Sequence, residues 1–201
     1  MVVACHSASC TVLHEDKVRN VPLFNVIAPA VDAALKATRN NKIGLLATRA
    51  TVTSGSYGSY LRAKSATAEL YAQAASLLVP FVEEGWFDDP VTDLVLHRHI
   101  QPLLENNIDT LILGCTHFPL LKNAIQNICG PQIQLIDPAE SLIHQLAPAL
   151  AISSTVNTTA ANGRLTVLTT DLSASLQELA HKILFPLEAD RFEVVQIQPF
   201  K

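Results

Sequence analysis

Short apolar runs separated by helix-length segments are the feature that most limits how this chain can fold. The runs have the length and residue types of buried strands, the last being the weakest: residues 1–4, 42–47, 110–114, 132–136, 165–169 and 192–197. Segments with apolar residues at helical spacing lie between them, at 29–39, 66–84, 90–106, 119–129, 139–150 and 172–184. Strands that alternate with helices predict βαβ units, a mainly parallel sheet and the α/β class.

Composition excludes several classes of protein. Apolar residues make up 49% of the chain and charged residues 16%, which is too apolar for a disordered chain. The net charge of −4 leaves no basic surface for nucleic acid. No apolar run approaches the roughly 18 residues of a membrane span, and we find no signal peptide. We therefore expect a cytoplasmic protein that binds a small molecule, and neither nucleic acid nor a membrane.

Two segments repeat one motif at the end of a predicted strand. VVACHSAS at residues 2–9 and LILGCTHFP at residues 111–119 each join an apolar run to a small residue, a cysteine, and then hydroxyl and histidine side chains. In parallel α/β sheets, ligands bind beyond the carboxyl ends of the strands, where the next helix begins. The motif therefore places Cys5 and Cys115 at a predicted ligand site.

These two cysteines are candidates for acid/base chemistry. A helix N-terminus and a nearby imidazole lower the pKa of a thiol, and the thiolate is the reactive form. One base and one acid on opposite faces of a carbon atom is what racemisation requires. The alternative is that each cysteine is buried and structural, which is commoner for a single cysteine. We expect that structural role for Cys10 and Cys129.

The remaining motifs do not indicate a cofactor or a metal. His97 and His99 are two residues apart on a predicted helix, hence on different faces, and we expect both at the solvated surface. The segment GSYGS at residues 55–59 lacks the spacing of a phosphate-binding loop. We expect no nucleotide and no metal.

The motifs resemble those of the cofactor-independent glutamate racemases in the aspartate/glutamate racemase superfamily. The resemblance is most specific at GCTHFPLL (residues 114–121), and it continues at residues 4–9, 21–30, 50–57 and 78–83. It runs from residue 2 to about residue 150. It implies racemisation of L-glutamate to D-glutamate for peptidoglycan biosynthesis, with no cofactor.

The resemblance also implies roles for individual residues. Cys5 and Cys115 match the two acid/base thiols, and His117 matches the histidine that assists the second. Thr116 matches a residue that holds the substrate carboxylate. Glu83 matches a carboxylate near the reaction centre, with Glu84 as the alternative, although a solvated acidic residue at a helix end is an equally good account.

Three further residues are predicted to bind substrate. Thr51 falls where the family has a substrate-contacting hydroxyl, or it is a helix N-cap. His6 and Ser7 stand where the family usually has Asn and Thr; His6 is bulkier and is expected to titrate near neutral pH. The family's opening strand, with its Asp-Ser-Gly turn, and the Tyr-Gly loop that follows it have no counterpart in this sequence. The aspartate of that turn assists the first cysteine, so we expect His6 to replace it.

The resemblance predicts two pseudo-symmetric, mainly parallel βα domains with the active site in the cleft between them. We expect a truncated first domain built from residues 1–30 and 151–201, and a second domain at 31–150. Residues 151–164 are small and polar, as in a linker. A homodimer is also expected. Two alternatives stay open: a racemase-like binding or regulatory protein without catalysis, and a related racemase for another substrate, such as aspartate or a hydantoin.

Overall fold

A parallel four-stranded sheet forms the centre of the protein. The computed structural model describes residues 1–15, 17–151, 165–184 and 189–197. The strands are β1 (Val2–Val3), β2 (Lys17–Val18), β3 (Val21–Pro22), β4 (Phe24–Asn25), β5 (Lys42–Ala47), β6 (Glu69–Ala74), β7 (Thr110–Gly114), β8 (Gln134–Ile136), β9 (Thr166–Thr169) and β10 (Arg191–Val194). The central sheet has the strand order β6-β5-β7-β8, and every pair in it is parallel.

Helices connect the strands and cover both faces of this sheet. They are α1 (His6–Ser9), α2 (Ile27–Ala37), α3 (Arg49–Ser54), α4 (Ser56–Lys64), α5 (Leu78–Glu83), α6 (Pro90–Leu104), α7 (Lys122–Cys129), α8 (Pro138–Ala151) and α9 (Ala174–Leu184), with a 3₁₀ helix at Phe118–Leu121. The predicted α/β class with a parallel sheet is confirmed. No helix in the described part of the chain is long and apolar enough to cross a membrane.

The core lies on both faces of β5 and β7, whose residues are buried almost throughout. Side chains alternate between faces along a strand. Leu46, Leu111 and Leu113 therefore belong to one apolar cluster with α5, α6 and α7. Leu45 and Ile112 point the other way, into a second cluster with α2 and α4. Burial on both faces explains why these two strands are near-continuous apolar runs in the sequence.

One predicted helix is wrong. Residues 66–84 contain the strand β6 at Glu69–Ala74, followed by the short helix α5 at Leu78–Glu83. Alanine-rich sequence favours a helix, but β6 pairs with the whole length of β5, from Lys42 opposite Glu69 to Ala47 opposite Ala74. Tertiary pairing overrides the local preference. Helices α3 and α4 are not among the predicted helical segments, although an N-cap at Thr51 was one interpretation of that residue.

Smaller parallel pairs lie outside the central sheet. Strand β1 pairs with β4, and β9 pairs with β10, each as a separate two-stranded sheet. Helix α9 contacts α5 and so brings the C-terminal segment against the central domain. The division into domains at 1–30 with 151–201 and at 31–150 stays a prediction. The predicted linker, apart from Ala151 at the end of α8, lies outside the described residues.

Candidate active site

The two repeated motifs meet at one cavity. Cys115 directly follows β7, and Cys5 precedes the first turn of α1. Both cysteines line a cavity of about 150 Å³, together with His6, Ser7, Thr48, Val79, Gly114, Thr116 and His117. Of the residues predicted to form a site, only Thr51 and Glu83 lie outside this lining, and both bond to residues within it.

Gly114 lets β7 lie close to β5 just before Cys115. A Cβ atom at this position would stand 2.6 Å from Leu45 Cδ1 and 3.0 Å from the carbonyl oxygen of Leu46. The Leu45 side chain, and Ala47 Cβ at 2.9 Å, would have to shift to admit it, so a glycine at this position favours the close packing of β7 on β5. The close approach positions Cys115 at the carboxyl end of a rigid, buried strand.

Cys115, His117 and Glu83 form a hydrogen-bonded line. The Cys115 sulfur lies 3.6 Å from His117 Nδ1, and His117 Nε2 lies 3.2 Å from Glu83 Oε1. When Nε2–H donates to the carboxylate, Nδ1 has a lone pair that faces the thiol. The carboxylate also stabilises the imidazolium that forms when Nδ1 takes a proton. The alternative residue Glu84 is exposed and makes no hydrogen bond with His117.

The Cys115 thiol is held mainly in its protonated form. Burial raises its pKa, against the backbone N–H of His117, which lowers it. Negative charge on Cys5 or Glu83 raises the pKa further, while the Thr116 hydroxyl lowers it. A thiol with a raised pKa needs a neighbouring base before it can act as a thiolate, and His117 Nδ1 is within reach.

Three hydroxyl groups form a compact cluster at the cavity wall. Ser7 Oγ lies 3.0 Å from both Thr48 Oγ1 and Thr51 Oγ1, and the two threonine oxygens lie 3.1 Å apart. The N-cap of α3 is Thr48, which accepts a hydrogen bond from the backbone N–H of Thr51. The N-cap interpretation of Thr51 was therefore wrong: Thr51 lies inside the helix and is 1% exposed. Thr48 was missed, although threonine is a favoured residue at the N-cap of a helix.

His6 is buried, and it does not behave as its sequence position suggested. The ring is 4% exposed and stacks on Tyr57, with centroids 6.3 Å apart. Neither ring nitrogen has a hydrogen-bond partner among the described residues. Burial lowers the pKa of His6 to about 4. The expectation that His6 titrates near neutral pH was wrong, and its ring makes no hydrogen bond to the Cys5 thiol, so it does not take the role of the family's aspartate.

Comparisons with known proteins show the family of this chain. The sequence model of the Asp/Glu/Hydantoin racemase family matches residues 1–146. A glutamate racemase from Neisseria meningitidis serogroup A is 38% identical over 186 residues, which cover 92% of this chain and 68% of that protein. A glutamate racemase from Syntrophus aciditrophicus is 32% identical over 185 residues, with the same coverage. The chain belongs to the Asp/Glu/hydantoin racemase family.

Solved structures of glutamate racemases resemble this racemase over nearly its whole length. Glutamate racemase isoform RacE1 from Bacillus anthracis superposes with a TM-score of 0.87 at 28% identity, covering 98% of this chain and 73% of that one. The glutamate racemase of Francisella tularensis, in complex with D-glutamate, superposes with a TM-score of 0.86 at 27% identity, covering 97% and 72%. The predicted family and the prediction of an amino-acid racemase acting on a small molecule are confirmed.

The C-terminal segment lines a second cavity beside His117, which the sequence motifs did not predict. This cavity of about 350 Å³ is lined by His117 and Glu83 and by Leu176 and Leu179 of α9. The contact between α9 and α5 brings these leucines beside His117. No local sequence signal could have found them, because residues 165–184 lie beyond the resembling segment.

Other predictions for individual residues gave mixed results. Cys129 is 1% exposed and packs in the apolar cluster on α7, and burial raises its pKa to about 11, so its structural role is confirmed. Cys10 is half-buried and packs against the other cluster. His97 is exposed as expected, whereas His99 is half-buried and lies 3.2 Å from the Gln73 side chain, so that prediction was wrong.

Proposed function

We propose that this racemase interconverts L- and D-glutamate without a cofactor, through the thiols of Cys5 and Cys115. The observation that carries the proposal is the presence of both thiols in the lining of one small cavity, with a histidine and a carboxylate behind one of them. Glutamate racemases among the relatives support the substrate. D-Glutamate made in this way would serve peptidoglycan biosynthesis.

The geometry supports a two-base mechanism. The Cys115 proton moves to His117 Nδ1, and the thiolate takes the α-proton of the substrate from one face. The Cys5 thiol delivers a proton to the opposite face, so the carbon is inverted and Cys5 is left as the thiolate. The reverse direction begins with that thiolate. The α-proton of an amino acid is weakly acidic, so fixed donors and a cavity shielded from water must stabilise the carbanion.

The substrate carboxylates would be held by hydroxyl groups on both motifs. Ser7 and Thr116 line the cavity and can donate to an oxygen of the substrate. His6 also lines it and stays a predicted substrate-binding residue, but its two ring nitrogens are buried, and Thr51 acts through its contact with Ser7. A cytoplasmic location and a homodimer remain predictions.

Proton exchange at Cα tests this mechanism. Purified protein is incubated in D₂O with L- or D-glutamate, and loss of the α-proton signal is followed by NMR. We expect exchange with both enantiomers for the wild type and for Cys10→Ser, whose thiol does not line the cavity. Cys5→Ser and Cys115→Ser should each lose exchange with the enantiomer whose α-proton faces the removed thiol, and neither should convert one enantiomer into the other, which polarimetry measures. His117→Asn should slow exchange roughly 100-fold, because the thiol loses its base. Interconversion of the enantiomers that survives removal of either cavity thiol would refute the two-base mechanism.

Aspartate is a second candidate substrate, because the cavity that both thiols line has a volume of only about 150 Å³. The same NMR experiment with L- and D-aspartate decides between the two. Faster exchange with aspartate than with glutamate would identify aspartate as the preferred substrate. An absence of exchange with all four compounds would favour a racemase-like binding protein instead.

A further inference from the structure

The hydroxyl cluster of Ser7, Thr48 and Thr51 joins two separate segments of the chain at the cavity. Ser7 belongs to the four-residue helix α1, immediately after Cys5 and His6. Thr48 and Thr51 belong to the start of α3. In the described part of the chain, Ser7 Oγ has hydrogen-bond contacts only with the two threonines. The two threonines therefore determine where the Ser7 hydroxyl points.

The burial of Thr51 limits where the protons of the cluster can go. Thr51 is 1% exposed, so its O–H donates to Thr48 or to Ser7. Thr48 Oγ1 is held in place because it accepts the backbone N–H of Thr51 at 3.4 Å. Ser7 and Thr48 both face the cavity. When Thr51 donates to Thr48 and Thr48 donates to Ser7, the proton of Ser7 is free to point at a ligand.

We propose that Thr48 is a positioning residue, which donates to Ser7 and so orients the Ser7 hydroxyl toward a carboxylate oxygen of the substrate. This inference rests on the proposed function, because it requires an anionic amino acid in the cavity. Successive hydrogen bonds polarise one another, so the chain from Thr51 through Thr48 also strengthens the donor that Ser7 presents. Thr48 acts through Ser7 and not by its own contact with substrate.

Steady-state kinetics of Thr48 variants test the proposal. Thr48→Val keeps the shape of the side chain but removes the hydroxyl, and it should raise KM about 10-fold with a smaller effect on kcat. Thr48→Ser keeps the hydroxyl and should restore the wild-type KM. Thr48→Val also loses the cap of α3. Asp89→Ala is the matched control, because Asp89 caps α6 and does not line the cavity. This control should lose similar stability and leave KM unchanged.

A double variant separates action through Ser7 from direct contact. If Thr48 acts through Ser7, Thr48→Val will add no further increase in KM to a Ser7→Ala enzyme. An additive increase would overturn the proposal, as would a wild-type KM for Thr48→Val or a raised KM for Asp89→Ala.

Binding provides a readout that does not depend on turnover. D-Glutamate should raise the Tm of the wild type and of Thr48→Ser more than that of Thr48→Val. A wild type that shows this shift without proton exchange would refute the proposed reaction and keep the role of Thr48. Wild-type exchange with an unchanged KM in Thr48→Val would refute only the role of Thr48. No shift and no exchange would refute both.

Discussion

The buried ring of His6 should make the stability of this racemase depend on pH between about 4 and 6.5. The ring is 4% exposed and has no hydrogen-bond partner among the described residues, and burial lowers its pKa to about 4. In the unfolded chain the pKa returns to about 6.5. Between these values the unfolded state binds more protons than the folded state, so the free energy of unfolding decreases as the pH falls.

The size of the effect follows from the two pKa values. Their separation corresponds to about 3 kcal/mol when the pH lies below both. About 2 kcal/mol of this is already lost at pH 5 relative to pH 7.5, because protonation of the unfolded state begins near its own pKa. A loss of this size is a large fraction of the stability of a typical domain.

Urea unfolding at pH 7.5, 6 and 5 measures the effect in the wild type and in His6→Phe. Phenylalanine can stack on Tyr57 and cannot be protonated. The free energy of unfolding of His6→Phe should therefore fall less between pH 7.5 and pH 5 than that of the wild type, by about 2 kcal/mol. Carboxylates contribute equally to both proteins and cancel in the difference, as do packing changes that do not depend on pH. His97→Gln is the control, because the His97 ring is already in solvent. Parallel pH profiles for the wild type and His6→Phe would refute the reasoning.

Two other predictions concern the thiols and the sheet. Iodoacetamide should alkylate the exposed Cys5 first, Cys115 more slowly because it is buried with a raised pKa, and Cys129 slowest because its pKa is about 11. Peptide mass spectrometry at successive times gives the order of alkylation. Equal rates for the three cysteines would contradict the prediction. Gly114→Ala should lower the free energy of unfolding by about 1–3 kcal/mol, because the added methyl group meets β5 within 3.0 Å. Gly58→Ala is the control, because at 3.1 Å its methyl group meets only the flexible Arg62 side chain, and it should not lower the free energy of unfolding.

Strands buried on both faces were the elements most readily predicted from sequence. Runs 42–47 and 110–114 coincide with β5 and β7, because a strand covered by helices on each side requires apolar residues at nearly every position. The segment at 66–84 failed for the opposite reason. Strand β6 lies at the edge of the sheet and is only half-buried, so its pattern carries little information about its pairing with β5.

The chemistry of the site was predictable where it depends on residues close together in the chain. Cys5 and Cys115 follow strands within short motifs, and His117 is two residues from the thiol that it contacts. The sequence could not decide between Glu83 and Glu84. The choice depends on which of the two carboxylates at the end of α5 faces the His117 ring, which lies 34 residues away from Glu83 in the chain.

The sequence by itself determined the α/β class, the family and the two repeated cysteine motifs, since these depend on local periodicity and on short segments. Only the tertiary structure decided the surroundings of those thiols. It brought Ser7 against Thr48 across 41 residues, buried His6 against Tyr57, and placed α9 beside His117. The physical reason is that hydrogen-bond partners, burial and pKa values depend on groups that are neighbours in space but distant in the chain.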